Sequence, residues 1–175
     1  VFNLPPFPSG DSGSINIKTQ ELSISNGGVI NVINEGTGNA GNINVNADKI
    51  NLNGGNISAT TLLGRGGNIN LQAQDISLIN NSNISATGGG QGDGGNININ
   101  SDLLLVFENS EITANAFEGN GGNIEINGNV LIGSESIISA SSELGIDGQV
   151  QINGDIYEIN DLTSKPTQFS EEQLI

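Results

Sequence analysis

The chain has 175 residues, 26 of them glycine, with only 3% aromatics and no Cys, His, Met or Trp. Nineteen acids stand against four bases (Lys18, Lys49, Arg65 and Lys165), for a formal charge of −15. This composition excludes a disulfide framework, thiolate metal sites, and Ser-His-Asp or Cys-His catalysis; it also opposes nucleic acid, whose phosphates require Lys and Arg.

The charge is unevenly placed. Residues 1–90 carry five acids and three bases, whereas residues 91–175 carry fourteen acids and one base. The acidic half reads as a solvated surface, with calcium binding as the alternative. No apolar run approaches the ~20 residues that a bilayer-spanning helix needs, so membrane insertion is not expected. The opening at Val1 shows no signal-peptide pattern, and the sequence reads as a mature piece or a segment of something longer.

Residues 1–12 (VFNLPPFPSGDS) hold three of the four prolines. Proline cannot donate to a strand ladder, so this stretch is expected to be an N-terminal cap or the loop of an upstream coil. Residues 13–162 then repeat. Copies begin at Gly13, Gly41, Gly67, Gly95, Gly122 and Gly148, at spacings of 28, 26, 28, 27 and 26, and open GSINI, GNINV, GNINL, GNINI, GNIEI and GQVQI. Self-similarity of this length is the mark of a solenoid.

Each copy contains three stretches in which apolar residues alternate with polar ones, the strand period. The first carries Ile15/Ile17, Ile43/Val45, Ile69/Leu71, Ile97/Ile99, Ile124/Ile126 and Val150/Ile152. The second carries Leu22/Ile24, Ile50/Leu52, Ile76/Leu78 and Leu104/Val106, then Val130/Ile132 in a copy one residue shorter. The third carries Ile30/Val32, Ile57/Ala59, Ile84/Ala86, Ile112/Ala114 and Ile138/Ala140. β-Branched Ile dominates and no helical spacing competes.

Three strands of four to six residues per copy predict an all-β fold, a right-handed single-stranded parallel β-helix of five to six triangular coils. At ~4.8 Å per coil the rod would be about 25–30 Å long. The Ala column from Ala59 to Ala140 suggests a narrow corner, and the coil-start glycines suggest positive φ or close backbone approach. Beside them, Asn42, Asn68, Asn96 and Asn123 read as turn chemistry, as a stacked amide ladder, or as both.

Length variation gathers after the third strand, in EGTGNA, TLLGRG, TGGGQGDG, NAFEGNG and SSELGID. Such insertions map to one side of a solenoid, often the binding side. Leu62, Leu63 and Phe117 are apolar there and are expected to tuck back over the core, with ligand contact as the alternative. Residues 163–175 leave the repeat and read as a polar, acidic tail.

Candidate chemistry is sparse. β-Helix enzymes that act on acidic polysaccharides use Arg or Lys with calcium, or clustered Asp, and Arg65 is the single arginine. Acids on neighbouring coils could form a carboxylate pair, the nearest being Glu108 with Glu135 and Glu118 with Glu143. The closest approach to a calcium nonapeptide is GGQGDGGNI, where Asp93 falls one place early. Asn31, Ser58, Ser85, Thr113 and Ser139 should form one outward column. Ice-binding solenoids use paired Thr columns; here Thr is sporadic and the column reads as ordinary polar facing. No catalytic residue, cofactor or metal ligand set is expected, and no binding residue can be named.

The units GNAGNINVNADKINLNGGNISA and GDGGNININSDLLLVFENSEITA resemble the repeats of filamentous-haemagglutinin-like exoproteins, the secreted partners of bacterial two-partner secretion systems, including S-layer-like repeat proteins. The resemblance covers residues 13–153, and GIDGQVQIN is similar to the close of such arrays. It implies a right-handed β-helix, export through an outer-membrane transporter and adhesion, aggregation or a surface-layer role at the bacterial cell surface. The family's Asn-Pro-Asn-Gly secretion motif has no counterpart here, which implies a distal stalk segment.

The expected function is therefore a non-enzymatic stalk or adhesin segment of a secreted surface protein. Its expected partners are the export transporter and a host-cell or glycan receptor, together with end-to-end self-association. The rival readings are a carbohydrate-binding or carbohydrate-active β-helix protein, and an Asn/Gly-rich chain with no fold.

Overall fold

The computed structural model describes residues 7–159. The expected tail at 163–175 and the first half of the 1–12 stretch lie outside the described residues.

Among the described residues the regular structure is all strand, and every strand pairing is parallel. The first coil holds β1 (Ile15–Lys18), β2 (Glu21–Ser25) and β3 (Val29–Asn34). The second holds β4 (Ile43–Asn46), β5 (Lys49–Asn53) and β6 (Asn56–Thr61). The third holds β7 (Ile69–Gln72), β8 (Asp75–Ile79) and β9 (Asn83–Ser85). The fourth has β10 (Ile97–Val106) and β11 (Glu111–Thr113), and the fifth β12 (Ile124–Gly133) and β13 (Ile137–Ser139). A further coil begins with β14 (Val150–Asn153) and β15 (Ile156–Ile159).

Each copy stacks on the next in the register set by its glycine, with Ile43 over Ile15, Ile69 over Ile43, Ile97 over Ile69 and Ile124 over Ile97. The chain is thus a parallel β-solenoid of about five turns. The three strands of a coil line three walls but fall into two sheets: the first two belong to one ten-stranded sheet, and the third forms a five-stranded sheet. β10 and β12 run through the first corner as single strands of ten residues. In the first three coils hydrogen bonding continues around that bend, because one carbonyl accepts two successive N–H groups. Gln20 accepts from Asp48 and Lys49 at 2.8 and 3.1 Å, and Gln74 accepts from Asp102 and Leu103 at 2.9 and 3.1 Å.

The inward columns are those that the alternation predicts. Ile43, Ile50, Leu52, Ile57, Ile84, Ile97 and Ile112 are all fully buried. Each such side chain contributes about 1.5–3 kcal/mol by leaving water, and stacking supplies that burial where a single coil cannot. Ala59, Ala86 and Ala114 are fully buried too. The coil-start glycines answer to close approach: a Cβ on Gly95 would collide with the carbonyl of Gly67, and one on Gly122 with that of Gly95. The shorter fifth copy is accommodated at Gly128, whose φ of +143° and contact with the Ser101 carbonyl suit glycine alone.

Candidate functional site

Two surfaces carry most of the outward chemistry: the corner where each coil returns to its successor, and the outer face of the first wall.

At the return corner the structure corrects the sequence reading. Leu62, Leu63 and Phe117 do not tuck over the core; they are 58, 37 and 44% exposed. The strand alternation continues one pair further than the last repeated apolar residue. After inward Ala59 comes inward Thr61, which is buried, and Leu62 takes the next outward step. After inward Ala114 comes inward Ala116, also buried, and Phe117 follows outward. Ile33 stands between Val32 and Asn34 in the same way and is 50% exposed. The inward places are taken by short side chains that hold the corner. Thr61 Oγ1 donates to the Gly38 carbonyl at 3.1 Å and accepts the Gly64 N–H at 3.1 Å. Asn34 Nδ2 donates to the Gly10 carbonyl at 2.7 Å, while its Oδ1 accepts the Gly36 N–H at 2.8 Å.

The same corner carries the ion pair Arg65–Asp93, Nη2 to Oδ2 at 2.7 Å. Oδ1 of Asp93 accepts the Asn120 N–H at 2.9 Å. That backbone bond, and then the guanidinium, hold the Asp93 carboxyl below the usual carboxylate range. Both oxygens are engaged within the protein, so the stretch GGQGDGGNI uses its aspartate to lock adjacent coils.

The acid pairs sit diagonally. Register runs unbroken from Val106 over Ile132 to Glu111 over Ile137, which sets Glu108 opposite Ser134 and Glu135 opposite Asn109. Ala116 bridges Ser142, which likewise sets Glu118 opposite Leu144 and Glu143 opposite Phe117. All four carboxylates are exposed. The hydroxyl column forms as expected, with Asn31, Ser58, Ser85, Thr113 and Ser139 in one register. Within it Ser85 Oγ bonds sideways to Thr87 Oγ1 at 2.8 Å, and Ser139 Oγ donates to Ser141 Oγ at 3.3 Å and to Asn115 Oδ1 of the preceding coil at 3.4 Å.

The first wall is built of carboxamides. Asn42, Asn68, Asn96 and Asn123 form a ladder of side chain to backbone: each Oδ1 accepts the N–H of the matching residue one coil on, at 2.9 Å from Asn68, Asn96 and Asn123 and 3.1 Å from Gln149. Amide-to-amide stacking occurs two residues further along the strand. Nδ2 of Asn44 donates to Asn16 Oδ1, Asn70 to Asn44 and Asn98 to Asn70, at 2.8, 2.7 and 2.9 Å. The next outward column continues the pattern, with Asn46 to Gln72 at 3.2 Å, Asn127 to Asn100 at 3.0 Å and Asn153 to Asn127 at 2.8 Å. A shallow concavity of about 340 Å³ lies over this face, lined by the carboxamides of Asn16, Asn44, Asn46, Asn70, Gln72 and Asn100 and by Lys18. The sequence reading missed these columns, although the signal was present as the Asn between each pair of apolar residues.

Compared with known proteins, the chain matches no family model, no curated protein and no solved structure.

Proposed function

We propose that this chain is a non-enzymatic stalk or adhesin segment of a secreted bacterial cell-surface protein, exported through an outer-membrane transporter. The observation that carries the reading is where the recurring polar residues go. The asparagines at 42, 68, 96 and 123 and those at 16, 44, 70 and 98 bond to the matching position of the adjacent coil. A repeat whose polar signature joins coil to coil is suited to building length. The resemblance of residues 13–153 to filamentous-haemagglutinin-like repeats points the same way.

Antibodies raised against the purified segment test the location. They should label intact cells that produce the parent protein. Label that appears only after permeabilisation would overturn the reading. The carbohydrate-binding alternative finds support in the carboxamide wall, whose outward positions carry no charge across coils two to four of a strongly acidic chain.

A further inference from the structure

We infer that the carboxamide face of the first wall binds an extended, uncharged polysaccharide laid along the solenoid axis. The inference rests on the adhesin form of the reading above and names the ligand class and the residues.

A carboxamide offers two N–H donors and two acceptor positions on oxygen. In the ladder, Asn44 donates once, to Asn16, and accepts once, from Asn70; Asn70 donates to Asn44 and accepts from Asn98. Each therefore keeps one N–H and one oxygen lone pair for the solvent side. The pair repeats every coil, at ~4.8 Å. A sugar hydroxyl is itself donor and acceptor, so a polymer of sugars offers the complementary repeat.

Charge selects among polymers. On this wall the outward positions of coils two to four are carboxamides throughout: Asn42, Asn44 and Asn46, then Asn68, Asn70 and Gln72, then Asn96, Asn98 and Asn100. The charges on this face stand on the flanking coils: Lys18, in register with Asn46, and Glu125, over Asn98. The carboxamides of coils two to four offer neither a polyanion nor a polycation an ion pair, and the formal charge of −15 on the chain opposes polyanions. An uncharged chain meets neither penalty. Geometry adds two features. The concavity of about 340 Å³ lies over Asn44, Asn46, Asn70, Gln72 and Asn100 of this set, with Asn16 and Lys18 of the first coil at its end. Asn44, Asn70 and Asn98 are half-buried and held by their neighbours, so little side-chain freedom remains to be lost on binding.

The test is a titration of the ¹⁵N-labelled segment with an uncharged β-linked glucan hexasaccharide, followed on the side-chain amide signals. The Nδ2 signals of Asn44, Asn70 and Asn98 should shift saturably, and a polyuronate hexasaccharide should shift none of them. Asn46→Asp with Asn100→Asp places two carboxylates on the exposed rim. Two lost donors correspond to about tenfold weaker binding, with a melting temperature lowered only by loss of the exposed Asn46–Gln72 bond. Ser58→Asp on the third wall should bind as the parent does. Absence of saturable shifts at millimolar glucan, shifts confined to the return corner around Leu62 and Phe117, or equal weakening by Ser58→Asp would each overturn the inference. None of these outcomes depends on where the parent protein resides, so the surface-labelling experiment can fail or succeed separately.

Discussion

The backbone N–H of Gly95 donates to the carbonyl of Ala86 at 2.7 Å, closing the return corner of the third coil. The same bond joins Gly67 to Ala59 at 3.0 Å, Gly122 to Ala114 at 2.7 Å and Gly148 to Ala140 at 2.6 Å. The chain that leaves each Ala comes back onto it eight residues later, or nine from Ala86, and the space between is narrow. That is the physical reason for the alanine column. Ala86→Leu should overpack the corner and destabilise the fold by about 1–3 kcal/mol, read from denaturant midpoints. A loss below about 0.5 kcal/mol would mean that the corner is not tightly packed.

The register itself can be tested by adjacent substitutions. Ile84 is fully buried between Ile57 and Ile112, and Ser85 beside it faces outward, half-buried. Ile84→Asp buries an unpaired carboxylate and should cost several kcal/mol, enough to melt the central coils. Ser85→Asp loses one lateral bond to Thr87 and should cost about 1 kcal/mol or less. Equal melting shifts for the two variants would refute the inward and outward assignment.

The Arg65–Asp93 pair predicts a pH dependence with a definite sign. The folded-state pKa of Asp93 is lowered, so its contribution to stability is fully present above the unfolded value of about 3.9. It fades as pH falls through the folded value. The stability difference between the parent and Asp93→Asn should therefore shrink in acid and be constant from pH 6 to 8. The arginine half of the effect should be small, because Arg65 is 65% exposed and such pairs contribute about 0–1 kcal/mol. Both Asp93 oxygens being engaged, millimolar calcium should raise the melting temperature no more than magnesium does. A saturable shift with calcium alone would show a site at work.

Much of the fold was legible in the sequence, for a simple reason. A period of two fixes which face of a strand is buried, and a repeated glycine fixes the stacking register, so Ile15, Ile43, Ile69, Ile97 and Ile124 could be placed in one column from spacing alone. What was not legible lay in the polar residues. An Asn between two isoleucines looks like filler, yet Asn44 and Asn70 bond amide to amide across coils, while the more conspicuous Asn68 and Asn96 beside the glycines bond to backbone. The fused first corner was hidden as well, because spacing does not reveal that one carbonyl serves two N–H groups. At the return corner the alternation was followed one pair too few. Carried on, it puts Thr61 in and Leu62 out.

That correction has its own test. Leu62 and Phe117 leave about half of their surface in water, so replacing either by Ser removes only part of a side chain's apolar burial. Leu62→Ser and Phe117→Ser should each cost about 1–2 kcal/mol at most, read from denaturant midpoints. Ile112→Ser, at a fully buried position of the same sheet, should cost several kcal/mol through the cavity and the buried hydroxyl. Large losses from the first two would restore the tucked arrangement.

The last expectation concerns how stability is distributed along the rod. In a stacked array each coil is held by its neighbours, so central coils open only with the whole array, while outer ones can peel away. Ile76, Leu78, Ile84, Ile97, Leu104 and Ile112 are at most 1% exposed. By contrast Val150 and Ile156, stacked on Ile124 and Val130, are 42 and 52% exposed. Glu158 falls in register with Ile132, setting a carboxylate where the preceding coil has an isoleucine. Hydrogen exchange should therefore be slowest for residues 67–140 and faster by orders of magnitude for 150–159. Replacing Glu158 by Ile would extend the apolar column and should slow exchange in that last stretch. Uniform protection from residue 15 to 159 would mean that the array unfolds as one unit, and that nearest-neighbour stacking does not set its local stability.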